Sequence, residues 1–430
     1  MSNTPTLIIL AGGASSRMWP LREKSLMCFG AEPLLLSQLR TYESLGFSDV
    51  VIVGNPQNEA EIRGLMAHLG DRIQVRVAVQ AEAKGMGDAL LQVAEVLPAD
   101  TGAVYINQVH DIVDERLHVD MLNMYRSNPD TTYLAGVEME NYFPGGYLII
   151  DETGMISGIM EKPGPDKRPS KYVSMVVHCH SSAARLFDAI RAEYGKDIPS
   201  DDHYERAMDV LMKQQPYRMV GYNGRWDALK FPWHVLDVME SFLQRIKGQN
   251  ISPTAFIAPT ATIIGDVVIG ERAKIFPGAS VVGPAYIGAG VIVGNNALVR
   301  HSMVLDNCNV GFTTEVARSY VAEGVQLHAC RVLDSVFGPN VNFSAGCTTA
   351  NLRIDRKNVK STVKGARLDS GRDKLGAIIG ANAFLGVDVM TMPGVKIGEN
   401  AQVGPGTHLY EDIKNGVRVY VKQQIEIIEP

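Results

Sequence analysis

The stretch of sequence that decides the fold lies in the second half of the chain. It runs from Ile263 to Gly294 and reads IIGDVVIGERAKIFPGASVVGPAYIGAGVIVG. An aliphatic residue recurs in it every six positions, and glycine or another small residue often follows. A fixed short period with inward aliphatic positions predicts a solenoid in which each coil buries the core of its neighbour.

The same period continues on both sides of this stretch, in two runs. The first run holds Ile251, Ile257, Ile263, Ile269, Ile275, Val281, Ile287, Val293, Val299 and Leu305. The second run holds Ile379, Leu385, Thr391, Ile397, Val403 and Leu409. Between the two runs we expect the register to break. Six-residue faces, three to a coil, resemble the left-handed parallel β-helix, which we predict for residues 251–430. An ordinary β-sandwich would not keep such a period.

The first half of the chain follows a different pattern, in which apolar runs alternate with helical stretches. Residues 7–13 are predicted to form a buried strand that runs into a glycine turn. Further strands are predicted at 50–54, 75–79 and 103–107, and helices at 59–69 and 87–97. Strands that alternate with helices imply right-handed crossovers, so residues 1–232 are predicted to form a Rossmann-like α/β domain with a mainly parallel sheet. The helical pattern after Pro232 predicts a linker helix within residues 233–250.

The bulk composition fits this two-domain organisation and excludes several classes of protein. With 430 residues the chain is too long for one ordinary core. A net charge of −6 gives no reason to expect a nucleic-acid partner. We also expect no membrane partner and no signal peptide, because the apolar stretches are short and the N-terminus is polar. Five scattered cysteines without a CxxC pair predict a reduced, cytoplasmic protein without structural zinc.

A glycine turn after the first predicted strand carries the chemistry of the first half. Its backbone at Gly12 and Gly13 can approach a nucleotide closely, and amides there can bind phosphate oxygens. Arg17 and Lys24 add positive charge for a polyanion. The turn is not a Walker loop, because no GK[ST] follows. The segment Gly85-Met-Gly also lacks the third glycine of a dinucleotide fingerprint.

The motif LAGGASSRM, with a lysine seven residues beyond its arginine, resembles the sugar-1-phosphate nucleotidyltransferase superfamily. Its spacing is most similar to that of the N-acetylglucosamine-1-phosphate uridyltransferases. The resemblance implies transfer from a nucleoside triphosphate, UTP, to a sugar 1-phosphate, N-acetylglucosamine 1-phosphate, with release of pyrophosphate. It makes Arg17 and Lys24 catalytic. The nucleotide-binding residues that it implies are Leu10, Ala11, Gly12, Gly13, Gln80 and Gly85. Gln80 has both a donor and an acceptor for a pyrimidine edge, so UTP or thymidine triphosphate is expected over purines.

The resemblance also implies a sugar subsite and a magnesium site. Gly146, Glu161 and Ser174 match the sugar-binding positions, with Ser174 where the family has an asparagine motif. Asp111 and Asp227 match the metal-binding aspartates, and one Mg²⁺ would bridge the phosphates of the two substrates. Asp114 is an alternative to Asp111, because the sequence before Asp111 departs from the family's Gly-Asp. The triplet His178-Cys-His is interpreted as a core strand and not as a metal site, since alternate residues point to opposite faces.

Between the two hexapeptide runs lies a basic insert, residues 351–376. From residue 352 onward it contains eight lysines and arginines against three acidic residues, which gives a local charge of +5. Such a patch suits phosphate binding, and a solvated loop is the alternative.

The residues around this insert resemble the acetyltransferase half of archaeal-type bifunctional uridyltransferase/acetyltransferases. The resemblance implies that His328 is the general base on the amine of glucosamine 1-phosphate, with acetyl coenzyme A as co-substrate. Asn351 would hold the sugar or its amine, and Lys357 and Lys360 its phosphate. Arg331 stands where the family has a tyrosine, which leaves open whether this second site is active or takes another acceptor.

Two alternatives to a uridyltransferase remain at this point. The same fold can act on another nucleotide or another phosphate acceptor, or the chain can be a catalytically silent regulatory subunit whose β-helix serves assembly. For assembly we expect a homotrimer, because flat β-helix faces commonly pack in threes around a symmetry axis, with the basic insert near the seams.

Overall fold

The computed structural model describes residues 4–21, 23–70, 72–196 and 201–428. Contacts divide the chain into two compact units. The first comprises Met1–Ala14 and Leu34–Trp226, and the second comprises Ser15–Pro33 and Asp227–Pro430. The segment that carries Arg17 and Lys24 therefore packs with the second unit. Within the described ranges, every helix is too short or too polar to cross a membrane.

The first unit is an α/β domain. Its strands are β1 (Thr6–Leu10), β2 (Asp49–Gly54), β3 (Gln74–Val79), β4 (Val104–Gln108), β5 (Asp111–Val113), β6 (Thr132–Glu138), β7 (Gly146–Ile150), β8 (Ile156–Glu161), β9 (Tyr172–His180) and β10 (Tyr217–Tyr222). Its α-helices are α1 (Leu34–Ser44), α2 (Glu59–Met66), α3 (Met86–Ala94), α4 (Glu115–Ser127), α5 (Ala183–Tyr194) and α6 (His203–Leu211). A 3₁₀ helix spans Pro165–Lys167, and the strand Trp226–Ala228 contains the boundary between the units. The strands and helices predicted for the first half are confirmed.

The main sheet has the strand order β10-β6-β9-β4-β1-β2-β3. The strands β4, β1, β2 and β3 are parallel, as predicted, because helices connect them. Strand β9 is antiparallel to β4 and β6, and β7 pairs with both β8 and β9. This half of the sheet departs from the parallel pattern because a hairpin, and not a crossover helix, leads into β9.

The second unit contains helix α7 (His234–Gln244), a 3₁₀ helix at Lys24–Leu26 and a three-faced parallel β-helix. The first face contains Gln249–Ile251, Val267–Ile269, Ala285–Ile287, Met303–Val304, Tyr320–Val321, Val336–Phe337, Ile378–Ile379 and Lys396–Ile397. The second face contains Phe256–Ile257, Lys274–Ile275, Ile292–Val293, Asn309–Val310, Gln326–Leu327, Asn342–Phe343, Phe384–Leu385, Gln402–Val403 and Arg418–Val419. The third face contains Thr262–Ile264, Ser280–Val282, Leu298–Arg300, Glu315–Ala317, Arg331–Leu333, Thr348–Thr349, Met390–Thr391 and His408–Leu409.

The predicted register break between the two hexapeptide runs is wrong over most of its length. The three faces continue without interruption through residues 303–349. The six-residue pattern is lost there because four corners each drop one residue. The buried inward residues are five positions apart, and not six, from Val299 to Val304, Val316 to Val321, Leu327 to Val332 and Val332 to Phe337. Ile287 pairs with Val304, and not with the predicted inward residue Leu305. Since both residues are aliphatic and buried, the sequence does not reveal which of them faces inward.

Between the two hexapeptide runs, the basic insert leaves the β-helix. It forms an antiparallel hairpin of Lys360–Val363 and Ala366–Asp369. The two ends of the insert lie together, because the Leu375 amide donates to the Asn351 carbonyl oxygen over 2.9 Å. The coil then resumes at Ile378–Ile379, so the insertion does not disturb the stacked faces.

Candidate functional site

The glycine turn at the end of β1 is tightly packed on one side. Gly12 is buried, and a Cβ atom there would lie 2.9 Å from the Gly54 carbonyl oxygen, so a larger residue would clash. The Asn58 side-chain amide donates to the Ala11 carbonyl over 2.9 Å, and Asn55 donates to the Gly12 carbonyl over 3.3 Å. Sequence reasoning missed these two buried asparagines, although they follow strand β2 directly. They fix the backbone of the turn.

Gln80 and Gly85 lie in the same unit and contact each other. Gln80 Nε2 donates to the Gly85 carbonyl over 3.0 Å and to Asp88 Oδ2 over 2.9 Å. The opposite amide orientation would place an oxygen against two oxygens, so Nε2 is the atom that faces both acceptors. Both amide hydrogens are used, and only Oε1 remains to accept a hydrogen bond from a ligand. Gly85 has φ +92° and approaches Asp201, which explains why glycine is needed there.

The three predicted sugar-binding residues lie on adjacent strands. Glu161 on β8 pairs with Gly146 on β7, and Tyr147 pairs with Val173 on β9. The antiparallel register therefore sets Gly146 opposite Ser174. Paired residues share a face, so Glu161, Gly146 and Ser174 form one row across three strands. A Cβ atom on Gly146 would lie 3.2 Å from Glu161 Oε2, so the glycine keeps the centre of the row open.

Glu161 also lines a cavity of about 280 Å³ together with residues of α5 and α6. Glu205 lines the same cavity, and sequence reasoning missed it because no motif marks it. Its Oε2 atom is buried without a hydrogen-bond partner among the described residues. Burial, reinforced by the charge of Glu161, raises the pKa of Glu205 to about 8. Glu205 is therefore mostly protonated at neutral pH.

The two candidate aspartates after β4 have different surroundings. Asp111 is buried, and its Oδ1 accepts a hydrogen bond from Trp226 Nε1 over 3.1 Å. Asp114 Oδ2 accepts from the Tyr222 hydroxyl over 3.1 Å and from the Arg225 amide over 3.3 Å. Asp114 thus stabilises the loop between β10 and Trp226, which is a structural role. This difference favours Asp111 over Asp114 as a ligand.

In the second unit, the segment with Arg17 and Lys24 is fastened to the β-helix. Trp19 Nε1 donates to Asn415 Oδ1 over 2.7 Å, and Lys396 Nζ lies 4.5 Å from the centre of the Trp19 ring. Lys396 is almost fully buried. Arg17 itself is exposed, with its guanidinium 5.8 Å from the centre of the Phe231 ring. Its charge is therefore available to a ligand, while the backbone beside it is held.

Asp227 also lies in the second unit, beside helix α7. Its Oδ2 accepts a hydrogen bond from the Ser241 hydroxyl. Over the described parts of the chain, no group of three or more histidine, cysteine or acidic residues has the geometry of a metal site. Asp111 and Asp227 nevertheless supply carboxylate oxygens, the donor type that suits Mg²⁺ when substrate phosphates complete its coordination.

The histidines of β9 are part of the core, as the sequence predicts. His178 and His180 are each 1% exposed, and both contact the hydroxyl of Tyr204 on α6. The Cys179 side chain between them belongs to the opposite face of the strand.

The candidate acetyltransferase residues are distributed over two corners of the β-helix. His328 is exposed and follows a strand of the second face, whereas Asn351 follows a strand of the third face. The exposed Arg331 begins a third-face strand, and the exposed Lys357 and Lys360 belong to the insert. Within one chain, the fold places His328 and Asn351 on successive corners.

Asn351 is held by a buried carboxylate that is itself ion-paired, a contact that the sequence does not predict. Both oxygens of Asp334 accept hydrogen bonds from Arg318 over 2.7 Å, and Asp334 Oδ2 also accepts from Asn351 Nδ2. Asp334 is 2% exposed. This contact fixes the orientation of the Asn351 amide and leaves its Oδ1 atom to accept a hydrogen bond from a ligand.

Three protein-family models match this chain. One described as Nucleotidyl transferase matches residues 6–226, which is more than half of the chain. One described as GMPPB C-terminal domain matches residues 263–367. One described as Bacterial transferase hexapeptide (six repeats) matches residues 376–410. The predicted combination of a nucleotidyltransferase domain with a hexapeptide-repeat domain is confirmed.

Similar proteins match over nearly their whole length. The chain is 29% identical over 415 residues to the "Bifunctional sugar-1-phosphate nucleotidylyltransferase/acetyltransferase" of Sulfurisphaera tokodaii, covering 95% of this chain and 98% of that protein. It is 28% identical over 427 residues to the "Bifunctional protein GlmU" of Methanocaldococcus jannaschii, covering 97% and 98%. It is 29% identical over 434 residues to the "Bifunctional protein GlmU" of Methanococcus aeolicus, covering 98% of both.

The raised pKa of Glu205 predicts a pH-dependent difference in stability between the wild type and Glu205→Gln. The carboxyl group binds its proton more tightly in the folded state, with a pKa of about 8 against an ordinary value of 4.5. Its contribution to stability is therefore complete below about pH 4.5 and is lost as the pH rises towards 8. We expect the wild type to lose stability relative to Glu205→Gln over this range, by at most about 1.4 kcal/mol per pH unit.

The measurement is urea unfolding of both proteins at pH 5, 6, 7 and 8. The matched control is Glu140→Gln, whose side chain is 78% exposed and whose stability should follow that of the wild type. Parallel pH curves for the wild type and Glu205→Gln would show that Glu205 ionises normally in the folded protein.

Proposed function

Because the chain belongs to the nucleotidyl transferase family, we propose that it transfers the uridylyl group of UTP to N-acetylglucosamine 1-phosphate and releases pyrophosphate. The observation that carries the choice of base is the Gln80 amide. Its two N–H groups are used by Gly85 and Asp88, so its free oxygen can only accept a hydrogen bond. Uracil and thymine offer an N3–H donor at the pyrimidine edge, whereas cytosine offers a lone pair there.

In the proposed reaction a phosphate oxygen of the sugar 1-phosphate attacks the α-phosphorus of UTP. A new P–O bond forms, the bond between the α-phosphorus and the bridging oxygen to the β-phosphorus breaks, and pyrophosphate leaves with the electron pair. Alignment and charge neutralisation contribute most to such a step. We assign charge neutralisation on the leaving phosphates to Arg17 and Lys24. The nucleotide is assigned to the turn from Leu10 to Gly13.

The sugar is assigned to the row formed by Gly146, Glu161 and Ser174, where the Glu161 carboxylate accepts hydrogen bonds from sugar hydroxyls. Mg²⁺ is the proposed metal, with Asp111 and Asp227 as its protein ligands. When bound, the ion supplies positive charge that offsets the charge of the substrate phosphates. We further place the protein in the reducing cytoplasm, where its five cysteines stay as the free thiols of the structure.

Loss of phosphate or metal contacts should abolish this activity without unfolding the protein. We expect Lys24→Ala and Asp227→Asn each to lower kcat by about a hundredfold or more, because transition-state charge is left uncompensated. The assay is pyrophosphate release with Mg²⁺, using UTP, thymidine triphosphate, CTP, ATP and GTP, each with N-acetylglucosamine 1-phosphate, glucose 1-phosphate or inorganic phosphate.

The matched controls are Lys171→Ala and Asp188→Asn, whose side chains are 60% and 76% exposed and form only surface ion pairs. Both should keep wild-type rates. Preference for a purine would contradict the role of Gln80 and favour the same fold with another nucleotide. Wild-type protein without release on any substrate pair would favour a silent regulatory subunit.

We propose acetyl transfer to glucosamine 1-phosphate as a second activity of the β-helix, supported by the names of the relatives and by the Asn351 geometry. The amine attacks the thioester carbonyl carbon of acetyl coenzyme A. A C–N bond forms, the C–S bond breaks and coenzyme A leaves as the thiolate. His328 takes the amine proton and returns it to the sulfur, which gives the free thiol. Asn351 Oδ1, left free by the contact with Asp334, accepts an N–H of the amine. Lys357, Lys360 and Arg331 lie in the basic region that we assign to phosphate binding.

Replacing the proposed base should remove acetyl transfer alone. We expect His328→Ala to lower the rate of thiol release from acetyl coenzyme A by about 10²- to 10⁴-fold, with uridylyl transfer unchanged. His408→Ala is the matched control, since His408 is also exposed on the β-helix. An unchanged rate in His328→Ala would exclude the base role, and a wild type without thiol release would make the β-helix a scaffold.

We propose a homotrimer built through the β-helix. Phe256 and Phe384 lie on the second face with side chains about half exposed, at 52% and 47%, and aromatic residues of this kind are typical of interfaces. Light scattering at micromolar concentration should give about three times 46.9 kDa. A monomer mass would contradict the proposal.

A further inference from the structure

A chain of buried polar side chains ends at Ser174. Ser174 Oγ lies 3.0 Å from His178 Nε2, and His178 Nδ1 lies 2.7 Å from the Tyr204 hydroxyl. The same hydroxyl lies 2.9 Å from His180 Nε2. His178, His180 and Tyr204 are almost completely buried, whereas Ser174 is partly exposed. The chain therefore connects the core of the first unit to the row of proposed sugar-binding residues.

Both histidines in this chain are neutral. Burial lowers the pKa of His178 to about 3 and that of His180 well below its ordinary value. A neutral imidazole carries one N–H donor and one lone pair, and the Tyr204 hydroxyl has a single hydrogen to donate. The Tyr204 oxygen could accept from both histidines only if its own hydrogen were left buried and unpaired, which is costly. The hydrogen bonds therefore run in one direction, either towards Ser174 or away from it.

The far end of the chain decides this direction. His180 Nδ1 is buried and has no hydrogen-bond partner in the described part of the structure. If the bonds ran away from Ser174, this atom would carry a hydrogen, and a strong donor would be buried unpaired. If they run towards Ser174, Nδ1 keeps only a lone pair. A buried N–H group without a partner is rarer in proteins than a buried lone pair without one. We therefore infer that His180 Nε2 donates to the Tyr204 hydroxyl and that this hydroxyl donates to His178 Nδ1.

We propose that this chain fixes the Ser174 hydroxyl as a hydrogen-bond donor towards an acceptor oxygen of the sugar, with His178 as the positioning residue. The His178 Nε2–H occupies one lone pair of Ser174 Oγ, and the Ser174 hydrogen is left for a ligand. The inference rests on the proposed sugar role of Ser174. Glu161, in the same row, is an acceptor. The subsite thus selects sugars that offer a hydroxyl donor to Glu161 and an acceptor, such as a ring hydroxyl or acetamido oxygen, to Ser174.

Steady-state kinetics of a double-mutant cycle test the proposal. The variants are Ser174→Ala, His178→Phe and their combination, assayed with UTP and N-acetylglucosamine 1-phosphate. Each single variant should raise the KM for the sugar phosphate about three- to tenfold, the worth of one hydrogen bond, with kcat and the KM for UTP little changed. The double variant should resemble Ser174→Ala, because His178 acts through Ser174. Additive effects, or an unchanged KM in Ser174→Ala, would overturn the proposal.

The matched control is His118→Phe. His118 is also a buried histidine, and its Nδ1 forms a hydrogen bond of 2.7 Å with the Tyr105 hydroxyl. It lies on α4 and is not part of the hydrogen-bonded row from His180 to Ser174. It should leave the KM for the sugar phosphate unchanged. If the melting temperature shows that His178→Phe does not fold, Tyr204→Phe, which removes only the central hydroxyl, replaces it in the cycle with the same expectation.

Imidazole ¹⁵N NMR reads the direction of the chain independently of activity. We expect His178 and His180 both to carry hydrogen on Nε2 and none on Nδ1, with His178→Phe assigning the His178 signals. Hydrogen on Nδ1 of either ring would overturn the proposal. A wild type without nucleotidyl transfer would refute the proposed function, while the tautomers would still report whether the hydrogen bonds run towards Ser174.

Discussion

The second unit depends on one packing constraint, which is that a side chain packs inward from each face of every coil. These side chains are apolar except at Thr349 and Thr391. Ile269, Ile287 and Val304 stack in this way on the first face, each fully or almost fully buried. Removing this area from water, at about 25 cal/mol per Å², is what holds coils of only two or three paired residues together. The constraint acts on the faces and not on the corners. A corner can therefore lose a residue, as between Val299 and Val304, or accept the whole basic insert, while the stacked faces continue.

The same constraint supports the chemistry of the second unit. Lys396 begins the last first-face strand, and its ammonium contacts the ring and carbonyl oxygen of Trp19 and the carbonyl of Thr362 in the hairpin. One coil of the β-helix therefore contacts both the segment that carries Arg17 and Lys24 and the hairpin of the insert that carries Lys360. In the first unit, tight backbone packing fixes the turns at Gly12 and Gly85. Close backbone contacts at both positions leave no room for a Cβ atom.

The sequence predicted the fold and the segments that carry the site, because period, strand–helix alternation and the glycine motif are local properties. It did not predict the contacts that decide chemistry. Glu205 joins the cavity only because α6 packs beside β8, and Asp334 meets Asn351 only because successive coils stack. The sequence pattern could not show which of Val304 and Leu305 points into the β-helix, since both are aliphatic. Ser174 was found by position alone, and its donor character follows from His178, Tyr204 and His180, which come together only in the fold.

The central claim is that the α-phosphorus of UTP is attacked by a sugar 1-phosphate. It is tested most directly with UTP labelled with ³²P at the α-position, incubated with N-acetylglucosamine 1-phosphate and Mg²⁺. We expect the label to move into a UDP-sugar and the released pyrophosphate to be unlabelled. Label that remains in UTP, or that appears only in UMP, would contradict it.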